Sequence, residues 1–288
     1  MEPPVDRPDA LPVVEDGPPS PGVEEQPVWP VWPAWYAPAG FLTAAFLAIL
    51  AVGSVAGLGS LLGLRSGPGA PLAIAQVVAQ DLALVLTAVA FAAGVARPRL
   101  WHFGLGKAPL GPVLRWAAAG WLAFFVFSAL YAQVIDPEGE QQIVEQLGAE
   151  RSLASLVLVG ILVVVLAPVV EEVFFRGFFY RALRSRFSWA LAAALDGVVF
   201  GVIHWTGAAT LSLLPLFMVL GFIFCAVYER TGSLYTSIAI HALNNALAFA
   251  TMTDLNDAVP VVLGAGMLGL CVLLPRMAPA RVVAPAPG

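Results

Sequence analysis

"VVEEVFFRGFFYRALRSR", residues 169–186, carries three charged side chains where an apolar run would be expected to continue. Glu171, Glu172 and Arg176 follow a stretch that is almost purely apolar from residue 153 onward. Across the 288 residues, 59% are hydrophobic and 11% are charged, and the mean hydropathy is +0.85. Soluble domains have roughly 25% charged residues, so this chain cannot cover a water-facing surface. The composition predicts an all-α polytopic membrane protein with charges inside one of its spans.

Eight stretches of the chain are long and apolar enough to be membrane spans, since a spanning helix needs about 20 mostly apolar residues. They form one predicted membrane domain, residues 36–276. An acidic, Pro-rich tail, 1–35, precedes it and is expected to be disordered because it has little to bury. A short C-terminal tail, 277–288, follows. The predicted spans are 38–63, 71–95, 112–135, 152–180, 187–205, 208–229, 233–252 and 258–275.

The distribution of Arg and Lys predicts the orientation, because basic residues accumulate in short cytoplasmic loops. With the N-terminus inside, the outer segments hold Arg65 and Arg151, and loop 136–150 has five acids and no base. We therefore expect a multi-pass cell-membrane protein with both termini cytoplasmic and no nucleic-acid partner. The inner basic residues are Arg97, Arg99, Lys107, Arg181, Arg184, Arg186, Arg230, Arg276 and Arg281.

The charges of the fourth span have different expected roles. An ionisable residue inside a span is costly and marks a functional site by default. Glu172 and Arg176 are four residues apart and can pair on one helix face. Glu171 points about 100° away around the helix and lacks that partner. We expect Glu172 to be paired and Glu171 to be available for chemistry.

Two of the three histidines fall in later predicted spans. His204 ends the fifth span, and His241 lies in the seventh with Asn245 one turn further on. At about 1.5 Å per residue, Glu171 and His204 lie at similar heights above the turn that joins their spans. We expect these residues to converge on one site.

The three segments together resemble the signatures of the CPBP family of intramembrane proteases, the group of the type II CAAX prenyl endopeptidases and their bacterial relatives. "EEVFFR" matches EExxxR, "FGVIH" matches FxxxH and "HALNN" matches HxxxN, in that order. The resemblance covers about residues 95–255. It implies an eight-span fold and a nominal metalloendopeptidase that cleaves a membrane-associated protein or peptide substrate in the lipid bilayer.

The resemblance also implies roles for individual residues. Glu171 and His204 would activate water, and His241 and Asn245 would stabilise the oxyanion. Glu172 and Arg176 would support the local geometry. The chemistry agrees with this reading, because hydrolysis needs a base and the oxyanion needs preorganised donors.

A metal is the open point of this resemblance. Glu171, His204 and His241 could hold zinc with an open water position. However, the sequence lacks HExxH, the three residues come from different helices, and no nearby acid is evident that would orient either imidazole. We therefore favour no required cofactor, with zinc on these three residues as the alternative.

Other readings stay open. The Glu172–Arg176 pair can be purely structural, and Asp81 and Asp196 fit polar contacts between helices. Buried Glu, His and Asp also occur in transporters and proton relays, although no repeat symmetry supports that function. A catalytically inactive membrane scaffold is the third possibility.

Overall fold

The computed structural model describes residues 31–64, 71–135, 143–253, 255–256 and 258–277. Eight principal helices run through these ranges, one for each predicted span. They are α1 (Tyr36–Leu61), α2 (Pro71–Ala93), α3 (Leu110–Val134), α4 (Leu153–Arg184), α5 (Trp189–Ile203), α6 (Leu214–Thr231), α7 (Leu234–Thr251) and α8 (Ala258–Met277). The prediction of an all-α polytopic membrane protein is confirmed.

Six helical stretches in the described ranges are long and apolar enough to cross a membrane, whereas the sequence predicted eight spans. The exceptions are α5 and α7. Helix α5 has 15 residues, which at 1.5 Å each cover about 23 Å, less than the ~30 Å of hydrocarbon. Helix α7 has 18 residues, but His241 and two asparagines make it less apolar. Both exceptions carry residues of the predicted site.

Helix α4 is the longest helix and lies at the centre of the packing. Two of its segments, Ile161–Leu166 and Val173–Tyr180, have the wider π-helical geometry, which in other helices often marks functional positions. The two adjacent glutamates lie on the short α-helical segment between them, Ala167–Glu172. The second π segment is almost entirely buried, so its charged and aromatic side chains face protein rather than lipid.

Helices α5 and α6 cross at very close range because glycines line the crossing. A Cβ atom on Gly197 would lie 2.5 Å from the carbonyl oxygen of Met218. A Cβ atom on Gly221 would lie 2.9 Å from the Cα of Gly197. Small residues at such positions allow helix backbones in a membrane to approach each other. The crossing brings Asp196, next to Gly197, towards the charges of α4.

The segment that precedes α1 is fixed to the bundle by aromatic contacts. Trp32 is 1% exposed, and its ring lies 5.3 Å from that of Phe103 and 5.6 Å from that of Phe178. The guanidinium of Arg181 covers its other side at 4.7 Å and also donates to the carbonyl of His102. The predicted disordered tail lies almost wholly outside the described residues, as do residues 278–288.

Candidate active site

The predicted pair in the fourth span is present. The Nη1 atom of Arg176 donates to Oε1 of Glu172 at 2.9 Å, and both side chains are 0% exposed. The prediction that Arg176 pairs with Glu172 rather than with Glu171 is confirmed. The pair is fully desolvated, so each charge depends on the other for its stability.

Two aromatic rings and a backbone carbonyl fix the guanidinium of Arg176. Its central carbon lies 4.4 Å from the ring centroid of Phe200 and 4.9 Å from that of Phe224. Its Nη2 atom donates to the carbonyl oxygen of Gly221 at 3.0 Å. Planar guanidinium groups favour such stacking. Arg176 therefore ties α4 to both α5 and α6.

His241 lies between the two glutamates. Its Nδ1 atom is 3.0 Å from Oε1 of Glu172, and its Nε2 atom is 3.9 Å from Oε2 of Glu171. A carboxylate that accepts from Arg176 can only accept from the imidazole as well, so Nδ1 carries the proton in this contact. The other nitrogen then faces Glu171 across a gap that is too long for a direct hydrogen bond and suits a bridging water.

The close acid corrects one expectation from the sequence. We expected no acid to orient either imidazole, and for His241 this is wrong, because Glu172 contacts its Nδ1 atom. The error arose because Glu172 was expected to have Arg176 as its sole partner. One carboxylate oxygen can accept from two donors, and Oε1 of Glu172 faces both Arg176 and His241.

His204 is held from the end of α5. Its Nδ1 atom lies 2.7 Å from the carbonyl oxygen of Phe200, which can only accept, so the proton is again on Nδ1. In the neutral ring, Nε2 then keeps its lone pair. The imidazole is stacked on Phe217, with ring centroids 4.6 Å apart.

Phe200 joins the three signatures. Its ring contacts the Arg176 guanidinium, the His204 ring at 4.7 Å and the His241 ring at 5.8 Å. The sequence reading did not give Phe200 a role, although it is the first residue of the FxxxH signature. Phe224 stacks on His241, with ring centroids 4.9 Å apart. It belongs to none of the three signatures, so its role could not have been predicted from the sequence.

Asn245 has one amide hydrogen already engaged. Its Nδ2 atom donates to the carbonyl oxygen of Val163 at 2.9 Å, within the first π segment of α4. An Asn amide has two N–H donors, so one remains available. Asn245 thus also fastens α7 to α4 near the glutamates.

The two acids outside the signatures are both buried. Oδ1 of Asp196 on α5 is 3.4 Å from Nη2 of Arg176 on α4, which confirms the predicted polar contact between helices. Asp81 on α2 is close enough to interact electrostatically with Glu171. Among the described residues, Glu172 and Asp196 are the acids that form ion pairs with Arg176.

A metal is not supported by the arrangement of the possible ligands. A carboxylate behind an imidazole, as Glu172 is behind His241, is typical of metal-binding histidines. Yet within the described ranges no three His, Cys, Asp or Glu side chains are gathered as a metal ion would require. Glu171, His204 and His241 do not fit a three-ligand zinc site in this arrangement.

Comparisons with known proteins agree with the three signatures. Residues 153–247 match the family model "Type II CAAX prenyl endopeptidase Rce1-like", and this range contains all six predicted site residues. The chain is 29% identical over 146 residues to the Bacillus subtilis protein described as "Putative membrane peptidase YdiL", covering 48% of this chain and 56% of that protein. It is 32% identical over 98 residues to an "Uncharacterized 24.3 kDa protein" of Escherichia coli, covering 33% and 45%. The chain thus spans about half the length of these relatives, and no solved structure matches it.

Proposed function

We propose that this chain is an intramembrane endopeptidase of the CPBP family, a proposal that the family match of residues 153–247 supports. The observation that carries the proposal is the contact of His241 with both glutamates. Glu172 holds one imidazole nitrogen, and the other nitrogen faces a carboxylate that Arg176 does not engage. The arrangement sets a candidate base beside a ring of fixed orientation, and hydrolysis needs both a base and a preorganised group for the oxyanion.

The reaction would use these groups in sequence. Glu171 takes one proton from water, while the second hydrogen stays on the oxygen and donates a hydrogen bond to Nε2 of His204. The water oxygen attacks the peptide carbonyl carbon, and the carbonyl oxygen becomes an oxyanion. His241 and the remaining N–H of Asn245 would stabilise that oxyanion. Glu171 then delivers its proton to the leaving amine, and the C–N bond breaks.

The burial of the site determines the expected substrate class. The Glu171 side chain is 18% exposed and His241 is 4% exposed, and both belong to helices of a membrane bundle. A substrate must therefore reach the site from the bilayer or its boundary, which favours a membrane-associated protein or peptide. The described site residues show no group that would select a prenylated substrate, and matched farnesylated and unmodified peptides would define that preference.

The proposal is tested by replacing Glu171 with Gln, which keeps the shape of the side chain but removes the base. Wild type and Glu171→Gln are purified, reconstituted in liposomes with a bacterial membrane fraction, and the newly formed peptide ends are identified by mass spectrometry. We expect ends that wild type produces and Glu171→Gln does not. Equal sets of ends, with both proteins folded, would contradict proteolysis and favour a transport or scaffold function.

We further propose that no metal is required, because among the described residues Glu171, His204 and His241 are not gathered closely enough to share one ion. After treatment with a strong chelator, the purified wild type should keep its cleavage rate and contain no stoichiometric zinc. Loss of cleavage that zinc alone restores, with about one zinc bound per chain, would assign Glu171, His204 and His241 as ligands.

The orientation is also a proposal, based on the basic residues of the predicted inner loops. We place both termini and residues 181–187 in the cytoplasm of the cell, with residues 136–150 on the opposite side. Single cysteines introduced in each loop should react with an impermeant thiol reagent from opposite sides of the membrane. Labelling of both loops from the same side would overturn this topology.

A further inference from the structure

Asp196 is a buried acid that the proposed reaction does not use. It lies on α5, outside the three signatures, and its side chain is 0% exposed. Its ion-pair partner is Arg176, at 3.4 Å from Nη2 to Oδ1, and the thiol of Cys225 lies beside it. A buried carboxylate in a membrane helix is costly, so a chain that keeps one there needs it for a specific purpose.

The position of Asp196 makes Arg176 a shared cation. Glu172 engages Nη1 from α4, while Asp196 and the Gly221 carbonyl engage Nη2 from α5 and α6. The rings of Phe200 and Phe224 restrict movement of the guanidinium. With two acids on one cation, Glu172 is only partly neutralised and keeps negative charge for its second donor, His241.

We propose that Asp196 is a positioning residue for the proposed proteolysis, acting on His241 through Arg176 and Glu172. By holding the Nη2 side of Arg176, Asp196 leaves Glu172 free to accept strongly from the Nδ1–H of His241. That hydrogen bond fixes the proton on Nδ1 and directs Nε2 towards Glu171. This inference rests on the proposed function, because His241 matters only if it takes part in the reaction.

A purely structural role for Asp196 predicts a different outcome. If the acid only joined α5 to α4, its loss would lower the stability of the bundle and leave the His241 hydrogen bond unchanged. If it acts as a positioning residue, the effect must appear on His241 itself, even in a well-folded protein. The two roles are therefore separated by a measurement made on the imidazole.

The chain suits such a measurement because it contains three histidines, His102, His204 and His241. We would label the full-length protein with ¹⁵N-histidine and assign the imidazole signals by replacing each histidine in turn. In Asp196→Asn, which is isosteric but uncharged, we expect the His241 Nδ1 signal to shift towards that of a ring with a weaker hydrogen bond. The His204 signal should stay, because its partner is the Phe200 carbonyl.

The kinetic measurement uses an internally quenched peptide. It contains a cleavage site identified by comparing the peptide ends that wild type and Glu171→Gln produce. We expect kcat of Asp196→Asn to fall about tenfold, since a hydrogen bond to a charged group is weakened rather than lost. KM should stay within about twofold, because Asp196 does not touch substrate. The charge-preserving Asp196→Glu should retain more activity than Asp196→Asn.

Thr87→Val is the matched control. It removes a buried polar group whose hydroxyl donates only within its own helix, to the Ala83 carbonyl at 2.7 Å, and should change neither kcat nor the His241 signal.

Should Asp196→Asn not fold, Asp196→Ser removes the same charge with a smaller side chain and should give the same shift. An unchanged His241 signal and kcat in a folded variant overturns the inference. The imidazole measurement needs no substrate, so the absence of Glu171-dependent cleavage would overturn the proposed function separately.

Discussion

Arg176 and Arg184 lie eight residues apart on α4, and each reaches α6 at positions that are also eight residues apart, Gly221 and Glu229. Arg184, Glu229 and Tyr180 form the outer cluster. Arg184 donates to Glu229 at 2.7 Å from Nη2 and 3.1 Å from Nε, and Tyr180 donates to the same carboxylate at 2.8 Å. Arg176, Glu172 and Asp196 form the inner cluster. Arg176 donates to a glycine carbonyl on α6, and its acidic partners lie on α4 and α5.

The difference in exposure separates the roles of the two clusters. The outer pair is 35% and 27% exposed, whereas the inner pair is 0% exposed on both sides. Water and salt screen the outer pair, so it contributes little to stability and either partner can be solvated without the other. The inner charges have no such alternative. They remain in place only as a complete set, and that set holds His241.

The largest effect should follow from removing the inner cation. Arg176→Met leaves Glu172 and Asp196 buried without their counter-charge, which should lower the free energy of unfolding by about 3–5 kcal/mol. Reversible unfolding in mixed detergent measures the change. The equivalent outer change, Arg184→Met, is the control and should cost about 1 kcal/mol or less. Equal losses at both positions would show that burial does not separate the clusters.

Removing His241 should abolish cleavage while the bundle stays folded. His241→Ala leaves the Glu172–Arg176 pair intact and removes a proposed donor to the oxyanion, so cleavage should fall by about 10²–10³-fold or more. Cleavage of the quenched peptide and the thermal unfolding midpoint would be measured on the same preparation. Near-normal cleavage by a folded His241→Ala protein would exclude this histidine from the mechanism.

A methyl group at the α5–α6 crossing should have an intermediate effect. A Cβ on Gly221 would lie 2.9 Å from the Cα of Gly197 and 3.1 Å from Nη2 of Arg176. Gly221→Ala should therefore separate the helices and destabilise the protein by about 1–3 kcal/mol, with reduced cleavage. Gly266→Ala on α8, where nothing lies within 4 Å of the added atom, is the control. Identical behaviour of the two variants would contradict the close crossing.

The smallest effect belongs to the outer acid. Glu229→Gln removes the charge that Arg184 engages but keeps an acceptor for Tyr180, so stability should change by about 1 kcal/mol or less. Cleavage should remain within about twofold of wild type, because Glu229 does not contact the site. A loss of cleavage as large as that of the inner variants would mean that both clusters serve the reaction.

The sequence was sufficient for the features that depend on neighbouring residues. Apolar runs predicted each helix, and the i,i+4 spacing predicted the pairing of Glu172 with Arg176, because helix geometry fixes both. It could not reveal that Glu172 also accepts from His241, since that contact joins residues on α4 and α7. The partners of Arg176 on α5 and α6 were equally hidden, because they depend on a crossing angle between helices.

The length of α5 shows the same limit. Composition alone extended the fifth span to residue 205, yet the helix ends at Ile203 and the His204 imidazole folds back onto the Phe200 carbonyl. The sequence gives no signal for a side chain that terminates a helix in this way. The expectation that no acid orients either imidazole failed for a similar reason. Glu172 contacts His241, but its spacing had assigned it to Arg176 alone.

The most direct test of the contrast is the same conservative change at both arginines. Lysine keeps the charge but offers one nitrogen in place of the planar fork, so it cannot engage Glu172, Asp196 and the Gly221 carbonyl together. Cleavage of the quenched peptide by Arg176→Lys should fall by about 100-fold, while Arg184→Lys should stay within about threefold of wild type. Equal cleavage rates in the two lysine variants would contradict the claim that the inner cluster, and not the outer one, positions the catalytic groups.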